Sequence, residues 1–122
     1  MLLNEDLSAV KSRIEHNETF VLNIIATWCP DCTVKQAPLL DNFANEYLTT
    51  KLDVINLLVQ EERRVYLSDE HESFVDALGG HGFPRTVLYR DGIALDYHNV
   101  EVITDEALRS LAKRFEKQLL TQ

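Results

Sequence analysis

The sequence predicts an α/β chain folded as a three-layer sandwich, a central mixed sheet of about four strands with helices on both faces. Three observations carry that prediction. Apolar, β-branched runs alternate along the chain with amphipathic stretches. Two of the runs, "TFVLNIIAT" and "LDVINLLV", are separated by a helical stretch, which implies parallel strands joined by a right-handed crossover. The last two runs flank Asp91-Gly92, a dipeptide favoured in tight antiparallel hairpins.

In chain order, "NEDLSAVKSRI" places Leu7, Val10 and Ile14 at helical spacing, with Asn4 as the expected cap. "TFVLNIIAT" has the pattern of a buried strand, interrupted only by Asn23. From Pro30 the pattern becomes Val34, Ala37, Leu40, Phe43, Ala44 and Tyr47, a helical stripe with a kink expected at Pro38, whose ring removes a backbone donor. "LDVINLLV" is the second buried strand, and "QEERR" after it reads as a solvated stretch. In "SDEHESFVDALGG", Asp69 and Glu72 are spaced as a capping box, Phe74, Val75 and Leu78 form the apolar face, and Gly79 stops the helix. "RTVLYRDGIALDYHNV" supplies the hairpin. "TDEALRSLAKRFEKQLL" closes with Leu108, Leu111, Ala112, Phe115 and Leu119 on one face behind a Thr104 cap. The predicted order is helix, strand, helix, strand, helix, strand, strand, helix. With no repeat or linker, it reads as one domain over residues 1–122.

A composition of 45% hydrophobic and 26% charged residues, with four Gly and three Pro, suits a folded chain able to bury one core. The formal charge of −8 argues against a nucleic-acid partner, which requires clustered Lys and Arg. The first residues lack a basic segment followed by an apolar one, and no run is long enough to span a bilayer. The expectation is a cytoplasmic protein with no membrane partner, in a compartment that keeps thiols reduced.

Against that background Cys29 and Cys32, the two cysteines of the chain, read as redox or metal chemistry rather than a staple. No metal is expected: zinc takes four ligands, there is no further cysteine, and His16, His71, His81 and His98 include no i, i+4 pair. The pair falls where a strand gives way to a helix. Free N–H groups and the helix dipole favour a thiolate there, and Pro30 suits a first turn where its missing donor is no loss. Cys29 is therefore the expected nucleophile. A residue three positions on returns beneath the first, so Cys32 is the expected resolving thiol.

The strand ending in "ATWCPDC", the later "GFPRTVLYRDG" and the order of elements over nearly the whole chain resemble the thioredoxin superfamily. The resemblance implies a thioredoxin-like fold and a thiol–disulfide oxidoreductase that reduces protein disulfides by exchange at Cys29 and Cys32. It implies no cofactor beyond the redox-active Cys29–Cys32 disulfide. The partners would be disulfide-containing proteins and an electron-donating reductase or glutathione, in electron transport and cell redox homeostasis. Pro84 matches the position of a cis-proline facing the cysteines, and the backbone of Phe83 is then expected to pair with an extended substrate segment. Trp28 is either a contact surface for the partner or a lid over the pair.

The sequence departs from that family's pattern at named positions. Asn23 stands where a buried Asp is usual, and Asn56 where a Lys is usual. The expectation is that two amides bonded to each other replace a buried ion pair, so that the Cys32 proton moves through water or another carboxylate. Arg85 is inserted between Pro84 and Thr86, and is read either as a cation near the substrate or as a solvated loop arginine. Lys35 is read as a surface residue. His81, in "GGHGFP", is a candidate for substrate contact or proton traffic, although the glycines around it suit a loop that approaches a partner's backbone closely.

Pro30 and Asp31 sit beside the reacting sulfur and tune it. A unit negative charge about 6 Å away opposes a thiolate by roughly 0.7 to 2.8 kcal/mol, against a helix-terminus gain of roughly 0.3 to 2 kcal/mol. A thiolate without strong net stabilisation makes the couple a reductant rather than an oxidant. Two other functions fit the chain: a glutaredoxin-like, glutathione-linked activity, and a binding module whose cysteines are idle.

Overall fold

The computed structural model describes residues 1–121. One mixed sheet carries the molecule, with strands in the order β1 (Leu2–Asn4), β3 (Val54–Glu62), β2 (Phe20–Ala26), β5 (Arg85–Arg90) and β6 (Ile93–Val100), and with β4 (Val65–Tyr66) paired to β3. The pairs β1–β3 and β2–β3 are parallel, and β2–β5, β5–β6 and β3–β4 are antiparallel. Six strands replace the expected four or so. β1 and the β3–β4 hairpin were hidden because strands of three and two residues are too short to show a period.

Helices cover both faces. α1 (Leu7–Glu15) and α3 (Asp69–Ala77) contribute Leu7, Val10 and Val75 to one cluster, with Phe20, Leu22, Ile24, Ile55, Leu57 and Val87 from the sheet. α4 (Asp105–Leu120) contributes Leu108, Leu111, Ala112 and Phe115 to the other, with Val21, Val54 and Leu88. The alternation of side chains along β2 therefore feeds two cores through one strand.

Local signals were partly misread. α1 is capped by Asp6, whose carboxylate accepts from the Ala9 N–H at 2.9 Å, because Asn4 is spent in β1. α3 is capped by Ser68 accepting from the His71 N–H, not by a capping box at Asp69. Thr104 caps α4 as expected. Asp91 and Gly92 have φ of 53° and 77°, the double left-handed turn that the dipeptide promised.

The stretch after the cysteines is helical but not regular. It runs as a π turn (Asp31–Gln36), a 3₁₀ turn (Ala37–Leu39), one α turn named α2 (Leu40–Asn42) and a second π turn (Phe43–Tyr47). Pro38 lies in the 3₁₀ turn, where its missing donor breaks the ladder. The inward face is Cys32, Gln36, Leu40 and Phe43; Val34, assigned to that stripe from the sequence, is exposed.

Candidate functional site

The site stands at the C-terminal end of β2, where the sheet hands the chain to the irregular helix. Ala26 O accepts from the Cys29 N–H, and Cys29 O accepts from both Cys32 and Thr33 N–H, which starts the helix at the first cysteine. Both cysteines are free thiols, and both are buried, Cys29 at 7% exposure and Cys32 at 2%. Burial pushes the Cys32 thiol up to about 12; the nearby Cys29 sulfur and Asp31 carboxylate act in the same direction, while an Ala26 backbone bond opposes. Pro30 is exposed in the first turn, and Asp31 pairs with Lys35 at 3.3 Å. Lys35 is on the surface as expected, and its charge partly offsets the anion beside the cysteines.

The loop before β5 closes the other side. The Phe83–Pro84 bond is cis. Cys29 Sγ lies 3.8 Å from Phe83 O, the sulfur donating. The Phe83 ring is met edge-on by His81, with centroids 5.7 Å apart, and by Trp28 at 6.4 Å. His81 is exposed and Trp28 half-buried. Trp28 donates from Nε1 to Gln60 Oε1 at 2.9 Å.

Arg85 overturns both readings of it. It is neither a cation facing a substrate nor a solvated loop residue, but the first residue of β5 at 3% exposure. Its guanidinium donates to the carbonyls of Leu78, Gly80 and Tyr97, and burial lowers its pKa. It thus ties the α3–β5 loop, with His81 and Phe83 on it, to β6.

Asn23 is fully buried and paired in register with Asn56, donating to its Oδ1 at 2.9 Å. It also donates to Gln36 Oε1 at 2.8 Å and accepts from Gln36 Nε2 and Thr86 Oγ1. All four hydrogen-bonding positions of this amide are therefore filled. Gln36 also donates to Val102 O. The network fastens the turn below Cys32 to β2, β3 and β5 with no group that titrates near neutral pH.

The sequence reading missed Gln36, Gln60 and Thr86. Gln36 had a signal, a polar side chain four residues after Cys32 and four before Leu40 on the inward register. Among the described residues, no group of three or more His, Cys, Asp or Glu is placed to hold a metal, and no helix is long and apolar enough to cross a membrane.

No protein-family model matches the chain, and no curated protein matches it. Solved structures do. A Plasmodium falciparum thioredoxin superposes with a TM-score of 0.65 at 19% identity, over 93% of this chain and 98% of that one. A mutant thioredoxin from Halobacterium salinarum gives 0.67 at 22%, over 93% and 89%. Trxlp from Edwardsiella tarda gives 0.63 at 16%, over 92% and 98%. The chain has the thioredoxin fold.

Proposed function

We propose that the protein is a thiol–disulfide oxidoreductase that reduces protein disulfides through Cys29 and Cys32. The observation that carries this reading is the stacking of two unlike thiols at one helix start. Cys29 lies against the Phe83 carbonyl at the mouth of the site, and Cys32 lies buried beneath it with its proton firmly held.

The Cys29 thiolate attacks one substrate sulfur; the Cys29–substrate bond forms, the substrate disulfide breaks, and the first substrate thiolate leaves and is protonated. Cys32 then attacks Cys29 Sγ. The Cys29–Cys32 bond forms, the mixed disulfide breaks, and the second substrate thiolate leaves. Two electrons have passed to the substrate, and a reductase or glutathione returns them to the protein.

Among the described residues, the proton of Cys32 has no buried carboxylate to go to. Asn23, Gln36, Gln60 and Thr86 are the buried neutral polar side chains, and Arg85 is a cation. The departing substrate thiolate is then the acceptor, directly or through water. Asp31 supports the reductant direction, weakened by its pairing with Lys35.

The test is a Cys32→Ser variant incubated with a disulfide-linked peptide. A stable mixed disulfide through Cys29, absent in Cys29→Ser, is the expected result. An unmodified Cys29, together with no reversible loss of two alkylatable thiols on mild oxidation of the native protein, would establish idle cysteines instead.

A further inference from the structure

The turn between β3 and β4 places two cations beside the cysteine site. Arg63 and Arg64 are consecutive and exposed in a chain of formal charge −8. Among the described residues the remaining arginines are engaged through their guanidinium groups. Arg13 is held by Glu5, Arg85 and Arg90 by backbone carbonyls, Arg109 by Asp105 and Arg114 by Asp96. Arg63 has no such partner there and instead lies over the Trp28 ring, its Cζ 5.7 Å from the centroid.

The position is built from below. Gln60, at 1% exposure, accepts through one oxygen from Trp28 Nε1 at 2.9 Å and from the Arg64 N–H at 3.3 Å. One buried amide therefore locks the indole to the turn that carries the cations. From the nucleophile outward the contacts are continuous: Cys29 sulfur on the Phe83 carbonyl, Phe83 ring against Trp28, Trp28 beneath Arg63.

We propose that Arg63 is a specificity residue that selects disulfides lying in acidic protein segments, its guanidinium pairing with an Asp or Glu close to the attacked cysteine. This rests on the reductase reading above. A guanidinium can keep one face on an indole while its edge takes a carboxylate through two parallel hydrogen bonds. In an extended segment, at ~3.3 Å per residue, a carboxylate within about three residues of the substrate sulfur reaches past Trp28. Glu61 and Glu62 are exposed on the same hairpin, so the cation is a local spot and not a broad positive field. Selection therefore acts on where the carboxylate sits rather than on the net charge of the substrate.

The experiment compares two disulfide-linked peptides that differ only in Glu or Gln two residues from the reacting cysteine, with glutathione disulfide as a third substrate. The native protein is expected to show kcat/KM about 2- to 5-fold higher for the Glu peptide, the scale of an exposed ion pair. The preference should vanish in Arg63→Gln and at high salt, and persist in part in Arg63→Lys. Equal rates for the two peptides, or a preference unchanged in Arg63→Gln, overturn the assignment while leaving the reductase intact. Glutathione disulfide reduced as fast as the Glu peptide overturns the protein-segment assignment in favour of a small anionic disulfide. Reduction of neither peptide, with no trapped mixed disulfide, overturns the reductase reading and this assignment with it.

Discussion

Burial holds the proton of Cys32 up to a pKa of about 12, whereas an unfolded thiol titrates near ~8.5. Between those values the native chain binds more protons than the unfolded one, so this residue's contribution to stability is complete below the lower value and is lost as pH rises through the upper. The reduced protein should therefore lose urea resistance from about pH 9 upward more steeply than a Cys32→Ala variant. Tyr89, also raised to about 12 by burial, titrates in both proteins and cancels in the difference. Parallel pH profiles would show that the thiol is solvated. The cysteines themselves were legible from their spacing, and the Asn23–Asn56 pair was legible only through the resemblance, which sets the two amides at positions where a buried Asp and a Lys are usual. Gln60 was not, since a lone glutamine is as common on a surface as in a core and only the fold decides, whereas Gln36 carried a signal in its helical spacing from Cys32 and Leu40. Arg85 misled for the same reason as Gln60: its acceptors are carbonyls of the segment after α3 and of β6, which only the fold brings together.

Among the elements, those with long periods or a committed turn dipeptide were readable, and those defined by pairing alone were not. The β5–β6 hairpin was announced by Asp91-Gly92, yet the tightest constraint on it lies elsewhere. A Cβ on Gly92 would stand 2.5 Å from the Ile14 carbonyl at the end of α1, at a φ of +77° that L side chains rarely adopt. The Gly92 N–H also donates to Glu18 O, so the turn is pinned against the α1–β2 connection. Gly92→Ala should cost about 1 to 3 kcal/mol or more in denaturant unfolding, combining backbone strain with a clash that neither rigid neighbour can relieve. An Asp91→Ala change at the same turn meets no such backbone wall and should cost less; equal costs would place the whole effect in turn propensity. The β3–β4 hairpin shows the opposite case. Its turn was dismissed as solvated charge because "EERR" carries no apolar period, and its role emerges only from where Gln60 anchors it.

At the scale of the molecule, the three-layer arrangement followed from alternating runs, while the count of strands did not, because β1 and β4, of three and two residues, are too short to have a pattern. The two apolar clusters lie on opposite faces of one sheet, and β2 supplies both: Phe20, Leu22 and Ile24 to one, Val21 to the other. Neither face can lose its packing while the other keeps a strand to pack on, so the whole chain should unfold as one cooperative unit. Trp28 is the only tryptophan and reports on the cysteine end of the first cluster, whereas far-ultraviolet dichroism reports on all elements. The two probes should give coincident urea transitions in the reduced protein. Phe115→Ala tests the coupling from the far face. Phe115 is fully buried in the second cluster, and its truncation should remove about 3 to 5 kcal/mol. If the sheet transmits that loss, the Trp28 midpoint falls with the dichroism midpoint; a fluorescence transition left in place would divide the chain into two separately stable halves.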